Sequence, residues 1–398
     1  MISVDEAVAR VVAAFAPLEA EFVALTDAFG RVLAEDVPAL LDQPPYSVSA
    51  MDGYALRARD AAIAPATLHV SGTAAAGHPF AGRLGAREAV RIFTGGVVPE
   101  GGDAIVIQED ATLDGEKVTL KEAAIAGRHI RPAGLDFARG QVLAKAGQRL
   151  RARDLSLLAA GDVARVRVRR RPHIVFAATG DELSRPGAPR KPGGIVASSG
   201  YGLSAMIAQW GGAPRDLGIL PDTIDAVGAL PELAQNADLI VTMGGASVGD
   251  HDLVREALAP QGFKLDFWKI AMRPGKPLIF GRLGAIPFLG LPGNPVSSLV
   301  CAILFLKPAL AAMLGRPTVS PLRSVRLARD LPANDSRQDY LRARLEMREG
   351  EWWAEPFAMQ DSSMQRVFAA ADGLIVRAVH APALTAGARV EVLPLDEI

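Results

Sequence analysis

The sequence predicts a multi-domain α/β protein whose central domain holds a mostly parallel sheet, with β-rich modules before and after it. Three observations carry this reading. A chain of 398 residues exceeds what one ordinary hydrophobic core organises. Between His173 and Met313, short apolar runs alternate with helix-patterned stretches, the sequence form of strands joined by crossover helices. On either side, Gly and Pro break the chain into short apolar runs that read as strands.

Taken in order, Ser3-Val4-Asp5-Glu6 is a capping box that opens an amphipathic helix with Val4, Val8, Val11, Val12 and Phe15 on one face. Residues 34–131 form the first β-rich module, with runs such as Ala104 to Ile107 and Val118 to Leu120. A connector follows, with a short helix from Ala152 to Ala160 and a strand from Val163 to Val168, and its expected partner is the N-terminal helix region. The alternating part then reads as strand His173 to Ala178, helix Tyr201 to Trp210, strand Asp216 to Leu220, helix Asp225 to Gln235 and strand Leu239 to Met243. It continues with helix Asp252 to Ala259, extended segments around Phe267 and Leu278 to Phe280, strand Pro287 to Leu291 and helix Pro295 to Met313. Beyond Gly315 the runs Ser324 to Leu327, Tyr340 to Met347, Trp352 to Glu355, Leu374 to Val379 and Arg389 to Leu393 predict a small all-β domain.

Composition narrows the function. With 49% hydrophobic and 22% charged residues the chain is globular. A net charge of −1 favours neither nucleic acid nor an anionic membrane as partner. Cys301 is the only cysteine, which excludes an internal disulfide and a thiolate zinc site and fits a reducing cytoplasm. The N-terminus lacks the basic and apolar segments of an export signal. The apolar stretch from Val296 to Leu306 falls short of the roughly 20 residues of a membrane span.

Ligands of open α/β sheets bind beyond the carboxyl ends of the strands, and three such ends are polar here. The first carries Thr179-Gly180-Asp181-Glu182, whose carboxylates suit a hard cation such as Mg²⁺, or a helix cap. The second carries Gly244-Gly245-Ala246-Ser247-Val248-Gly249-Asp250-His251-Asp252, where glycines and a helix start suit an anion. The third is Leu291-Pro292-Gly293-Asn294-Pro295, with Asn294 at the N-cap and Pro295 at the first helical position. With Lys269, Arg273 and Lys276 just upstream, the stretch from Gly244 to Pro295 reads as a phosphate or oxyanion pocket.

Other patterns carry less. G-x-S-x-G around Ser247 lacks the usual order of triad partners. Gly200 to Ala205 matches G-x-G-x-x-A without a buried strand before it. Gly275-Lys276 lacks P-loop spacing, and the six histidines lack zinc-ligand spacing. Arg165, Arg167 and Arg169 alternate with valines as one solvated strand face.

Six ordered motifs add specificity: SAMDGYA (Ser49 to Ala55), FTGGVVPEGGDAIVIQED (Phe93 to Asp110), TGDEL (Thr179 to Leu183), GGASVGDHD (Gly244 to Asp252), MRPGKP (Met272 to Pro277) and GLPGNP (Gly290 to Pro295). In this order they resemble the molybdopterin molybdenumtransferase family, known as MoeA in bacteria and as the gephyrin E domain in animals, over essentially the whole chain. The resemblance implies four domains. These are a discontinuous N-terminal/linker domain (1–40 with 138–170), a β-rich domain (41–137), a doubly wound α/β molybdopterin-binding domain (171–317) and a C-terminal β-barrel-like domain (318–398). It also implies a homodimer with the active site between the α/β domain of one subunit and the β-rich domain of the other.

The implied reaction takes adenylylated molybdopterin and molybdate, inserts molybdenum at the dithiolene sulfurs and releases AMP, assisted by Mg²⁺. Molybdopterin adenylyltransferase and molybdoenzymes or their chaperones are then the expected partners. Carried onto this chain, Gly244, Gly245, Ser247, Pro292, Asn294 and Pro295 would hold the pterin and phosphate. Asp181 and Glu182 would hold Mg²⁺, with Asp222 and Asp252 orienting the substrate or sharing the ion. Lys269, Arg273 and Lys276 would attract molybdate, Arg342 and Ser362 would touch it, and Asp52, Thr94 and Asp136 would close the cleft from the facing subunit. Arg273 stands where many relatives carry Lys, Leu135 where an acidic residue is common, and Ser198-Ser199 where Asn is common. Two other readings differ in class: the adenylyltransferase of the preceding step, which shares the α/β domain, and a scaffold that has kept the fold.

Overall fold

The computed structural model describes residues 1–245, 253–318 and 322–395. The chain divides into two compact units, one of Met1–Glu21 with Arg169–Ile398 and one of Phe22–Val168.

The first unit is organised by a six-stranded sheet made of β1 (His173–Thr179), β2 (Ala213–Leu220), β3 (Leu239–Met243), β4 (Phe263–Trp268), β5 (Ile279–Leu283) and β6 (Ile286–Leu291). Its spatial order is β2-β1-β3-β6-β5-β4. The first four strands in that order pair in parallel and the last two join antiparallel. Side chains alternate between the faces, as the twofold period of a strand requires. Ile174, Phe176, Leu239 and Val241 face one hydrophobic cluster, and Val175, Ala177 and Ile240 face another. Helices cover both faces, so the sheet is doubly wound.

On the first face lie α1 (Val4–Ala13), α2 (Ser199–Gln209) and a long helix built of α4 (Pro295–Cys301), a π turn (Ala302–Leu306) and α5 (Lys307–Met313). On the second lie the short helices Ile224–Gly228 and Leu230–Leu233 and α3 (Leu253–Leu258). The expected helix from Asp225 to Gln235 is thus divided, with Pro231 entering where a continuous helix would need its N–H. The wide turn at Ala302–Leu306 likewise precedes Pro308, which has no N–H to continue a regular ladder. Among the described residues, Pro295–Met313 is the one helix long and apolar enough, by length and composition, to cross a membrane. Its bounds are those read from the sequence, although its apolar character extends past the run from Val296 to Leu306. The helix is 83% buried inside the fold, where it is the central core helix of the unit.

The capping box forms as read, since the Ser3 hydroxyl accepts the Glu6 N–H at 3.1 Å. The destination of α1 differs from expectation. Val4, Ala7 and Val11, spaced to share one helical face, are buried in the cluster that holds Ile174 and Phe305, so the helix belongs with the α/β sheet rather than with the connector.

The C-terminal part is a closed barrel of β7 (Arg323–Leu327), β8 (Gln338–Arg348), β9 (Glu351–Pro356), β10 (Gly373–Arg377) and β11 (Arg389–Pro394). β8 pairs with both β9 and β10, β7 with β9 and β11, and β10 with β11, which completes the ring. Val325, Ile375, Val390 and Val392 share one buried cluster of this barrel. Tyr340, Leu374 and Leu393 instead join the α/β core, and the two-residue strand Met272–Arg273 pairs with Gln338 and Asp339.

The second unit holds three hydrophobic clusters. Its six-stranded sheet runs in the order Ala104–Ile107, Gly53–Leu56, Glu88–Ile92, Ala66–Ala74, Lys117–Leu120, Ala111–Asp114. Tyr54 and Leu56 pack on one side with Leu68 and Val118, and Ala55 on the other with Val90 and Ile105. A separate cluster joins Leu33 and Val37 to Leu150, Leu158 and Val166, so chain segments far apart in sequence fold together here.

Candidate active site

In sequence order the parallel strands read 2-1-3-4 across the sheet, so the crossovers leaving β1 and β3 diverge to opposite sides. Ligands of open α/β sheets bind at such a switch point, outside the carboxyl ends of the strands. A cleft of about 620 Å³ opens there, with Thr179 ending β1, Met243 to Gly245 following β3, and Pro292 to Pro295 following β6.

The Gly244 backbone explains why the floor is glycine. Its φ of +100° is a region that side chains rarely enter, and an added Cβ would sit 2.6 Å from the Thr179 carbonyl oxygen. Gly293 comes close from the other side, where its own Cβ would lie 3.6 Å from the Gly244 Cα. Thr179 is 5% exposed, and its hydroxyl lines the cleft without a hydrogen-bond partner among the described residues. An unpaired buried hydroxyl costs about 1–3 kcal/mol, so a ligand atom there would be rewarded.

Asn294 occupies the N-cap position of α4, but its side chain makes no cap bond. Its Nδ2 donates instead to the Ser362 Oγ at 2.9 Å, and the Val296 N–H donates to the Ser362 carbonyl at 3.1 Å. Residues 360–365 therefore form a wall of the cleft through Ser363 and Gln365, and the Gln365 amide also bonds the Ser198 hydroxyl at the start of α2. Behind this wall lies Arg342, 1% exposed, whose Nη2 donates to the Asp361 carbonyl at 3.1 Å while its Nε has no partner among the described residues. Burial pulls its guanidinium below the ordinary arginine range. Arg342 supports the segment that carries Ser362 and does not itself line the cleft.

The acidic side of the cleft comprises Glu182 and Asp222, and the Asp181 carboxylate accepts the Asp222 N–H at 3.3 Å. Burial, with the like charges of Glu182 and Asp181, raises the Asp222 carboxyl above its ordinary value. Among the described residues no three His, Cys, Asp or Glu side chains converge as a ready-made metal cage. Ser247 and Asp252, both named from the sequence, lie outside the described residues.

The three cations expected here divide. Pro277 lines the cleft, whereas Lys269, Arg273 and Lys276 are absent from its described lining. The Lys269 ammonium sits 3.8 Å from the centre of the Trp268 ring. Arg273 is held by Asp339 through bonds of 2.8 and 2.5 Å and reaches Asp335 at 3.4 Å. It faces a different cavity of about 580 Å³, which it shares with Asn334, Asp339 and Arg377. The reason is electrostatic, because a guanidinium fork matches a carboxylate that the neighbouring strand supplies through the Arg273–Asp339 register. Lys276 is half-buried and holds its loop closed through its carbonyl, which accepts the Ile270 N–H at 3.0 Å.

In the second unit, Asp52 and Thr94 are brought together across 42 positions of sequence, the carboxylate accepting the Thr94 N–H at 2.7 Å and its hydroxyl at 2.8 Å. These bonds hold the Asp52 carboxyl below its ordinary range, with Arg91 nearby adding to the effect. Arg91, unnoticed in the sequence, stacks over Tyr54 and Phe93 and bonds Gln108. Asp136 is exposed, with its N–H donated to the Gln43 carbonyl at 2.9 Å.

Comparison with known proteins covers almost the entire chain. Residues 2–161 match the MoeA N-terminal region (domain I and II), 176–312 a probable molybdopterin binding domain, and 324–395 the MoeA C-terminal region (domain IV). The molybdopterin molybdenumtransferase of Haemophilus influenzae is 32% identical over 100% of both chains. That of Bacillus subtilis is 34% identical, over 100% of this chain and 94% of its own. The crystal structure of a molybdopterin biosynthesis MoeA protein from Pyrococcus horikoshii superposes with a TM-score of 0.87 at 30% identity, covering 100% of each chain.

Proposed function

This chain belongs to the molybdopterin molybdenumtransferase (MoeA) family, and on that premise we propose that it inserts molybdenum from molybdate into adenylylated molybdopterin with release of AMP. It is a transferase of molybdenum cofactor biosynthesis. The supporting observation is the 620 Å³ cleft at the switch point, which sets the start of α4 and the Gly244 turn against Glu182 and Asp222. Such a site suits a phosphorylated substrate bound with a cation between its phosphates and the carboxylates, and needs no covalent nucleophile.

In this reading Gly244, Gly245, Pro292, Asn294 and Pro295 hold the phosphate-bearing part of the substrate, with the Thr179 hydroxyl as an added contact. Ser362 fixes Asn294 from behind. Lys276 supplies a positive charge for molybdate, whereas Arg273 serves to tie its loop to Asp339. A second copy of this chain supplies Asp52, Thr94 and Asp136. Cytoplasmic placement belongs to the same reading, supported by the single buried thiol and the substrate class. The test is AMP release from adenylylated molybdopterin with and without molybdate. No molybdate-dependent release by folded, Mg²⁺-supplied protein would reject the assignment.

Mg²⁺ fits the acidic side by charge. It retains several waters and is usually held by one or two carboxylates with substrate phosphates, so the absence of a three-ligand cage does not disfavour it. Asp181, Glu182 and Asp222 are the residues that would hold it, and it would neutralise the phosphoanhydride oxygens. Because the folded state holds the Asp222 proton more tightly than the unfolded chain, ionised Asp222 is disfavoured above its raised value and relieved as pH falls through it. A bound cation reverses that preference. Mg²⁺ affinity should therefore fall as pH drops through the raised Asp222 value, and Asp222→Asn should flatten the dependence without destabilising the metal-free protein. Calorimetric Mg²⁺ titrations at two pH values check this, and an unchanged pH slope in the variant removes Asp222 from the ion site.

Lys276→Ala should raise the KM for molybdate about tenfold or more, the usual scale of a lost charge-assisted contact, with a smaller change in kcat. An unaltered molybdate dependence would take Lys276 out of the site.

A further inference from the structure

A second cavity adjoins the cleft and has no part in the account above. It measures about 230 Å³ and shares Ala178, Ala197, Gly200 and Met243 with the larger cleft as a common wall. Its own polar lining is Arg185, Tyr201 and Asp216. We propose that this cavity is the subsite for a planar, amino-substituted nitrogen heterocycle, the adenine or the pterin of the substrate, recognised by Tyr201, Arg185 and Asp216. The inference rests on the transferase reading for the identity of its ligand, though not for the existence of the site.

Size is the first argument. Whole drug-sized ligands occupy about 300–1,000 Å³, so 230 Å³ suits one fused ring system and leaves the phosphates and dithiolene to the neighbouring cleft.

The lining is the second. Tyr201, at the start of α2, is 62% exposed, an unusual state for an aromatic ring beside a cavity. Arg185 makes no hydrogen bond or ion pair among the described residues, although Asp216 lines the same cavity. Its guanidinium instead lies against Gly218, whose φ is +83° and where an added Cβ would meet the Arg185 Nη2 at 2.7 Å. Asp216 is fixed by accepting the Gly218 N–H at 2.7 Å through one carboxylate oxygen. The irregularity of β2 at Gly218 thus brings a cation with no partner among the described residues and an oriented carboxylate to the same cavity. Guanidinium and phenol both stack on π faces, and the free carboxylate oxygen accepts from an exocyclic amine or ring N–H. An aliphatic or purely anionic ligand would leave one of these groups unused.

The test measures binding to the full chain by calorimetry with three probes: AMP, 6-hydroxymethylpterin and ribose 5-phosphate. Tyr201→Leu should weaken one ring-bearing probe about tenfold, the scale of one lost stacking contact, and Tyr201→Phe should restore it. Arg185→Gln should weaken the same probe. Loss confined to AMP identifies adenine, and loss confined to the pterin identifies the pterin. Ribose 5-phosphate should bind Tyr201→Leu as it binds the wild type. Equal loss for ribose 5-phosphate, less than twofold change for both ring probes, or no binding of either ring by the wild type would overturn the proposal. Molybdate-dependent AMP release by the wild type is read separately. A chain that binds the ring yet releases no AMP would reject the transferase reading and leave the subsite standing.

Discussion

Replacing Gly244 by alanine is expected to reduce molybdate-dependent AMP release about a hundredfold or more, with a loss of about 1–3 kcal/mol of stability. The backbone φ of +100° is costly for any side chain, and the added Cβ would lie 2.6 Å from the Thr179 carbonyl oxygen and 2.8 Å from its hydroxyl. Relief requires the ends of β1 and β3 to separate, and those ends are the floor of the cleft. Displacing reacting groups by about 1 Å is enough for a hundredfold loss. Turnover and thermal unfolding measured together test this. Activity within tenfold of wild type would show that the cleft floor tolerates movement and that the substrate phosphates lie elsewhere.

The Asp52→Ala variant should lose about a hundredfold in turnover while melting close to the wild type. Its carboxylate interacts with Thr94 and Arg91 at the surface of the second unit, so little packing is lost. The Thr94 bonds hold the folded carboxyl below its ordinary value of 3.8, so their contribution is present above that value and is lost only as pH falls through the lower folded one. An acid limb of the rate profile above the ordinary carboxylate value must then belong to another group, such as Asp222, whose carboxyl is raised. The proposed sharing of each site between two copies has a sharper consequence. A mixture of Gly244→Ala and Asp52→Ala chains should recover about a quarter of wild-type activity, because half the dimers are mixed and each of those keeps one intact site. No recovery, with exchange of subunits demonstrated, would mean that every site is built from one chain.

Local structure was readable because periodicity and punctuation are local. β3 ends where the sequence places it, at Met243 before two glycines, and the barrel strands match their predicted runs to within one or two residues. Placement was less readable. The valines of α1 announce a buried face without saying what covers it, and the α/β core claims it. Arg273 has the composition of a cleft cation, but Asp339, distant in sequence, captures it. Ser363 and Gln365 gave no local signal, since their role comes from folding the barrel segment against Ser198 and Asn294. The Thr179 hydroxyl alone left a readable trace, as a polar residue ending a strand otherwise apolar from Ile174 to Ala178.

Ring closure in the barrel sets an order for biosynthesis. β11 (Arg389–Pro394) is the stave that joins β7 to β10, and Leu393 within it also enters the α/β core. Until residue 394 has left the ribosome, both of those strands have a bare edge, the kind of surface that templates association between chains. Phe22–Val168, by contrast, has all its residues long before that point. Translation therefore exposes one half-made unit for the longest time, and a ribosome stalled just short of β11 would release a product prone to aggregate rather than a slightly shortened enzyme.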